Sequence, residues 1–407
     1  MDKKQNMLSA DEALSFLLAR VRPANKTEQI ATIEALGRVL AERLTSAVNV
    51  PPLDNSAMDG YAVRIADITN ASTRLKVAQR IPAGTVGKPL EAGQAARIFT
   101  GAPVPAGCDA VVMQEYCGVE GDTVTIGKHP KTGENIRRSG EDIAAGAEIL
   151  PAGIRLRPQE MGLAASVGIA SLLVYRKLKV ATFFTGDEIV MPGEPLKPGQ
   201  IYNSNRFVLT GLLQALGCEV IDLGIVPDDF AATVKVLEAA ASGADLIITS
   251  GGVSVGEEDH VKAAVEAVGK LDLWKIAIKP GKPLAFGEIG KVPFIGLPGN
   301  PVSAFVTFCL FVRPFILRSQ GITTTAPQAF SLKADFDWLK PDKRREFLRA
   351  RLHTAENGEV SVQLYSHQGS GVLTSTVWAD GLVEVPEGKA IHRGEIVKFL
   401  PFSGLLN

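Results

Sequence analysis

Leu246-Ile247-Ile248 runs into Thr249-Ser250-Gly251-Gly252-Val253-Ser254-Val255-Gly256, and Glu257-Glu258-Asp259 then opens an amphipathic stretch to Val268. An apolar run, a glycine loop and a helical period in that order read as strand, loop and helix of an α/β unit. Two further loops follow, Lys279-Pro280-Gly281-Lys282-Pro283 and Gly296-Leu297-Pro298-Gly299-Asn300-Pro301, each joined to a short β-like run. Glycine tolerates positive φ and close approach, so consecutive backbone N–H groups can face one concavity, and a following helix N-terminus adds its positive dipole end. Lys279 and Lys282 supply point charges, and Ser250, Ser254 and Ser303 supply hydroxyl donors. One such loop reads equally well as a tight turn; three together point to an anion site.

Working outward, β-like and helical patterns alternate: strand from Lys179, helix Phe207 to Leu216, strand Glu219 to Leu223, helix Phe230 to Ala241, and a closing helix from Val302 toward Ser319 with Pro301 at its first turn. This is the texture of a parallel sheet covered on both faces, a doubly wound α/β domain. Such sheets bind ligands past the C-terminal ends of their strands. Asp187, Glu188, Asp228 and Asp259 fall there, as caps and turn residues or as carboxylates around a Mg²⁺ that also holds phosphate oxygens.

The flanks differ in character. Ser9 with Glu12 forms a capping box ahead of an apolar helical face, and a second helix is expected over Glu34 to Leu44. Short alternating runs rich in Pro and Gly then occupy the stretch from Val48, including Asp54-Asn55-Ser56-Ala57-Met58-Asp59-Gly60-Tyr61-Ala62, and helical texture returns from Gln159 to Val167. Past Gly321, strands are expected at Arg345 to Arg351, Val360 to Leu364, Ser375 to Trp378, Leu382 to Val385 and Ile396 to Phe399, as a compact barrel or sandwich.

Composition sets outer bounds. The chain has 407 residues, 46% of them hydrophobic, and a formal net charge of −1, which fits a soluble multidomain protein and argues against nucleic acid as partner. Cys108, Cys117, Cys218 and Cys309 are scattered without paired spacing, as expected for a reducing cytoplasm. The first residues lead into no secretory apolar core, and the most apolar run, Ala304 to Val312, is short for a membrane span. His129, His260, His353, His367 and His392 show no metal-ligand spacing. Gly252-Val253-Ser254-Val255-Gly256 matches the nucleophile-elbow pattern of a serine hydrolase, with His353 and His367 downstream. Against that reading, Ser250-Gly251-Gly252 separates Ser254 from its strand.

Seven ordered motifs together resemble the molybdopterin molybdenumtransferases, the MoeA-type family that includes the gephyrin E domain. They are Asp54 to Ala62, Thr100-Gly101-Ala102-Pro103-Val104-Pro105, Gly140-Glu141-Asp142, Thr185-Gly186-Asp187-Glu188, Ser250 to Gly256, Lys279 to Pro283 and Gly296 to Pro301. The resemblance spans essentially the whole chain. It implies four parts: a discontinuous helical, elongated one (1–46 and 147–177), an inserted β-rich one (47–146), the α/β molybdopterin-binding domain (178–326) and a small C-terminal β-barrel (327–407). It implies a reaction in which molybdenum from molybdate enters adenylylated molybdopterin and AMP is released with Mg²⁺. It further implies a cytoplasmic homodimer whose active site is shared between subunits, and a molybdopterin adenylyltransferase as upstream partner. On this resemblance Asp59, Asp142, Glu188 and Asp259 are catalytic, and Asp187, Glu188 and Asp259 hold metal. Substrate contacts fall to Thr100, Asp228, Gly251, Gly252, Ser254, Lys275, Lys279, Lys282, Pro298, Pro301, Ser303, Arg349 and Ser370. Three positions depart from the pattern: Asn203 for an Asp, His260 for an aromatic and Phe184 for a Ser. A non-catalytic scaffold is the alternative from another class, and the lack of a long linker with a fused second domain speaks against it.

Overall fold

A computed structural model describes residues 7–23, 26–252 and 260–406. Its centre is a six-stranded sheet in the order Glu219–Val226, Lys179–Thr185, Leu246–Ser250, Val292–Leu297, Pro283–Ile289, Gly269–Lys275. The first four strands are parallel, and Pro283–Ile289 runs antiparallel to both of its neighbours, Val292–Leu297 and Gly269–Lys275. The sheet is therefore mixed where the sequence pattern suggested a parallel one. Pro283–Ile289 reaches Val292–Leu297 through a tight turn at Gly290, φ +60°, and a connection that short can only reverse the chain.

Both faces are covered. Val180, Phe184, Leu246, Ile248 and Ile295 face one core, shared with Leu209, Leu213, Phe308 and Phe315. Ala181, Phe183, Ile247 and Phe294 face the other, shared with Leu237, Ala240, Val261 and Val265. Adjacent residues of one strand thus enter opposite cores, as the strand period of two requires. A helical run from Pro301 to Ser319 lies in the first core and is long and apolar enough to span a bilayer, but its side chains are almost all buried, so packing accounts for its apolarity. It widens to a π turn at Phe308–Val312, just ahead of Pro314, which has no N–H to give the ladder.

The capping box forms as expected: Ser9 Oγ accepts from Glu12 N at 3.2 Å while Ser9 N donates to Glu12 Oε2 at 2.8 Å. The helix it opens, Ala10–Ala19, buries Ala13 and Leu17 in the first core of the central sheet. The helix expected over Glu34 to Leu44 is absent. A 3₁₀ turn at Thr32–Glu34 gives way to Gly37 at φ +73°, outside the helical region, and Val39 and Leu40 form bridges to Arg155 and Val174. The surrounding cluster is largely strand: Thr27–Ala31 pairs with Ser171–Tyr175 and Leu44–Thr45 with Glu148–Leu150, with Pro158–Ser166 as its one α-helix among the described residues. "Helical" is thus the wrong description of this part.

Residues 60–126 build a second six-stranded sheet, ordered Ala110–Met113, Gly60–Val63, Gln94–Ile98, Thr73–Ile81, Thr123–Ile126, Cys117–Glu120. Gly60 is required there, since a Cβ would sit 2.0 Å from Val112 O. At the C-terminus, Arg345–Thr354 pairs with both Val360–Leu364 and Gly381–Val385, and Phe330–Ala334 and Ile396–Pro401 complete a closed five-stranded barrel. Ser375 to Trp378, expected as a strand, falls within a helical turn, Thr374–Trp378. Ser375 Oγ and Thr376 Oγ1 donate to Val372 O and Leu373 O, local bonds that outweigh the β-branched composition. Ile278–Lys279 joins the barrel edge by pairing with Arg345 and Glu346.

Candidate functional site

Three neighbouring parallel strands end at Thr185, Ser250 and Leu297, and the loops that follow them form the wall of a cleft of about 500 Å³. Glu188, Asp228, Gly251, Gly252, Pro298, Pro301 and Ser303 all line it. The loops are tied to one another. Asn205 Nδ2 donates to Ser250 Oγ at 2.8 Å and to Gly299 O at 2.7 Å, and Ser250 Oγ donates to Pro298 O at 2.9 Å. Gly251 and Gly252 adopt φ +97° and +63°, and a Cβ on Gly251 would lie 2.8 Å from Thr185 O. Only glycine lets this loop pass so close to its neighbour.

The wall is closed by the helix that starts at Pro301. Pro301 has no N–H, and Val302 N donates to Ser370 O of the barrel loop at 2.9 Å, which leaves Ser303 N–H and Oγ as first-turn donors on the cleft wall. Backbone donors, a helix N-terminus and glycine turns facing one cleft suit a phosphate or other oxyanion. Ser370 thus contributes its carbonyl to the helix and does not itself line the cleft.

Not every candidate gathers here. Lys279, expected as an oxyanion ligand, directs Nζ to Glu346 Oε1 at 2.9 Å and Asp342 Oδ2 at 3.5 Å, so its charge is spent on the barrel. Its register on the strand that pairs with Arg345–Glu346 fixes that direction. Lys275 and Lys282 are exposed and stand outside the cleft lining. Arg349 is 0% exposed and cannot meet a solvent-borne ligand. Its guanidinium donates to Ser375 Oγ at 3.0 Å and Gly369 O at 3.1 Å, with longer contacts to Phe347 O and His367 O. Burial pushes its pKa down to about 10. Arg349 anchors the loop whose Ser370 carbonyl reaches the cleft helix, a structural task where the sequence suggested a ligand.

Asp187 is exposed beside Glu188, and Asp259 and Ser254 lie outside the described residues. Among the described residues no three acidic, histidine or cysteine side chains form a metal cluster. Glu188 on the cleft wall, with Asp187 adjacent in sequence, offers carboxylate oxygens of the kind that fit a Mg²⁺ sharing its shell with substrate phosphates, since that ion commonly takes only one or two carboxylates; Asp228 lines the same cleft. The strand ends at Ser250 and the left-handed Gly251 and Gly252 follow it, where a nucleophile elbow places its serine directly after the strand.

Asp59, Thr100 and Asp142 lie in the inserted part and none lines the cleft of its own chain. Asp59 Oδ1 accepts from Thr100 N and Oγ1, both at 2.8 Å, and these two donors hold its carboxyl below the ordinary carboxylate value. Asp54 takes Arg138 Nη1 at 2.6 Å and Ser139 N at 2.8 Å, so the 54–62 and 133–142 motifs are one unit. The sequence pattern gives no role to Asn205 and marks Asn203 only as a departure from the family's Asp. Asn203 N-caps the Ser204–Ala215 helix by accepting from Arg206 N, and its buried Nδ2 has no partner among the described residues. An Asn-Ser-Asn run between a strand and a helix was the available signal for both.

Comparisons with known proteins cover the same ground. Residues 8–168 match the MoeA N-terminal region (domain I and II), 181–318 a probable molybdopterin binding domain, and 331–402 the MoeA C-terminal region (domain IV). A Haemophilus influenzae protein named molybdopterin molybdenumtransferase is 45% identical over 404 residues, covering 98% of this chain and 100% of its own. A Nostoc relative of the same name is 37% identical over 92% of this chain and 88% of its own. Two crystal structures of the molybdopterin biosynthesis MoeA protein from Pyrococcus horikoshii superpose with TM-scores of 0.79 and 0.84, at 34% and 31% identity. They cover 98% and 97% of this chain and 99% and 100% of theirs.

Proposed function

The chain belongs to the MoeA family of molybdopterin molybdenumtransferases, and on that premise we propose that it inserts molybdenum from molybdate into adenylylated molybdopterin, releasing AMP, in molybdenum cofactor biosynthesis. The observation that carries this reading is the convergence of three strand-end loops and the Pro301 helix N-terminus on one cleft. A pyrophosphate link and a tetrahedral oxyanion both need fixed donors that cost no reorganisation when charge develops. Ser303 N–H and Oγ and the Gly252 N–H supply such donors, the Gly251 N–H being taken by Leu297 O at 3.2 Å. A Mg²⁺, held by Asp187, Glu188 and Asp259, would neutralise phosphate charge near the anhydride. Glu188 and Asp259 then orient the attacking water, and Asp228 holds the pterin or nucleotide end.

The enzyme works as a cytoplasmic homodimer in which Asp59, Thr100 and Asp142 of one subunit complete the cleft of the other. What supports this is that the cleft wall lacks those residues within one chain, while Asp59 is held ready by Thr100. A molybdopterin adenylyltransferase supplies the substrate. Four parts, divided near residues 46, 146, 177 and 326, carry out these roles.

The first test is AMP release from adenylylated molybdopterin with and without molybdate and Mg²⁺. Dependence on both, abolished by Asp259→Ala and only weakened by Ser254→Ala, supports the transferase. Ester hydrolysis that Ser254→Ala alone ends would replace it with a serine hydrolase. Sharing of the site is tested by mixing inactive Asp59→Ala and Glu188→Ala subunits. A shared site restores one intact site per mixed dimer, about a quarter of wild-type activity at random pairing; no recovery places both residues in one subunit's site.

A further inference from the structure

The opposite end of the central sheet holds a second concavity. A pocket of about 260 Å³ opens at the N-terminal ends of Lys179–Thr185, Leu246–Ser250 and Val292–Leu297. Four cations line it: Arg22, Lys26, Arg176 and Lys291. They come from three separate chain segments, two of which are crossings to or from a strand pair: one from the Ala10–Ala19 helix to Thr27–Ala31, the other from its partner strand Ser171–Tyr175 to Lys179–Thr185 of the central sheet. Arg176 N donates to Lys26 O at 2.9 Å and so joins the crossings.

The charges do not cancel. Asp245 is bound by Arg176 through two bonds of 2.9 and 2.8 Å and also accepts from Lys179 N. Glu288 takes Arg22 at 3.0 Å, and Arg22 Nη1 also donates to Lys291 O at 2.9 Å. Four cations against these two carboxylates leave an excess of two, and Lys26 and Lys291 form no ion pair among the described residues. The whole chain carries only −1, so this excess is local. Behind the rim the floor is buried and apolar, with Leu178 at 7% and Phe315 at 1% exposure.

We propose that this pocket binds a small organic phosphate, its phosphate between Lys26 and Lys291 and a compact apolar part against Leu178 and Phe315. The two arginines are already fixed by carboxylates and carbonyls and frame the site; the two lysines supply the free charge that a dianion needs. The volume lies just under the range of about 300–1,000 Å³ typical of drug-sized ligands, which limits the apolar part to about one ring. The site is separate from the cleft, which lies past the other ends of the same strands. A phosphate here touches both crossings and ties the N-terminal strand cluster to the sheet.

Calorimetric titration of the full-length protein with phenyl phosphate and with inorganic phosphate tests this. Phenyl phosphate is expected to bind saturably, once per chain, and more tightly than inorganic phosphate. The Lys26→Gln/Lys291→Gln pair, both exposed side chains, weakens it about tenfold or more, while Ser303→Ala in the cleft leaves it unchanged. Absence of saturable binding overturns the proposal, as does binding that survives the lysine pair and is lost with Ser303→Ala. Equal affinity for the two anions overturns the apolar half of the site.

Discussion

Replacing Arg349 by methionine should loosen the barrel loop and, through it, the helix that closes the cleft. The side chain is wholly buried and its two well-formed bonds go to Ser375 Oγ and Gly369 O. The contacts to Phe347 O at 3.4 Å and His367 O at 3.5 Å are too long to count for much. Hydrogen bonds from a charged donor contribute about 1.5–3 kcal/mol each, so two of them amount to roughly 3–6 kcal/mol. Methionine returns part of this because a lone guanidinium no longer has to be desolvated, a cost visible in the lowered pKa. A net loss of about 2–4 kcal/mol remains. Urea unfolding would report it as a lower midpoint at constant slope. Amide hydrogen exchange supplies the second readout, since Val302 N is protected by Ser370 O, the carbonyl next to the anchored Gly369. Faster exchange at Val302, with the rest of the barrel protected, is expected. Arg349→Lys should recover only part of the loss, because one ammonium cannot span both acceptors. If Arg349→Met folds with wild-type stability, exchanges normally at Val302 and yet binds substrate poorly, the anchoring argument is refuted and the arginine is a ligand after all.

Lys279→Met removes the countercharge of Glu346, which is 1% exposed and otherwise held by Trp338 Nε1 at 2.8 Å. Because the lysine is partly exposed, a loss of about 1–3 kcal/mol in denaturant unfolding is expected; Lys279→Met/Glu346→Leu should regain at least half of it. Asp342, bonded by Arg344 and near Lys279, has its carboxyl held well below the ordinary 3.8. A depressed carboxylate stabilises above its unfolded pKa and loses that contribution as pH falls through its folded value. Stability should therefore drop as pH falls below about 4, and less steeply in Asp342→Asn. Burial pushes the thiols of Cys108, Cys218 and Cys309 up to about 12 and that of Cys117 to about 11. A thiol-reactive dye at pH 8 should label the native protein slowly and all four cysteines at once on unfolding.

What the sequence could and could not reveal follows from where each residue finds its partners. The cleft was legible because each of its loops is local: Gly251 and Gly252, at positive φ, directly follow the strand end at Ser250, and Pro301 opens its helix four residues past the strand end at Leu297. The doubly wound core was legible for the same reason, since Leu246-Ile247-Ile248 needs only the strand period to send its side chains into opposite cores. Lys279 and Arg349 misled because a cation near an anion cradle looks like a ligand until the returning chain is known. Lys279 meets Glu346 only because the Ile278–Lys279 strand docks on the barrel, 67 positions along the sequence. Arg349 meets Gly369 and Ser375 only after the barrel closes. The same distance dependence explains the helix wrongly expected over Glu34 to Leu44, where Val39 and Leu40 are drawn into pairing with residues 155 and 174. Asp59 is the remaining case. Thr100 orients it across 41 residues within one chain, and on the proposed shared site the contact it makes is with a partner subunit's cleft, which is what the mixing experiment measures.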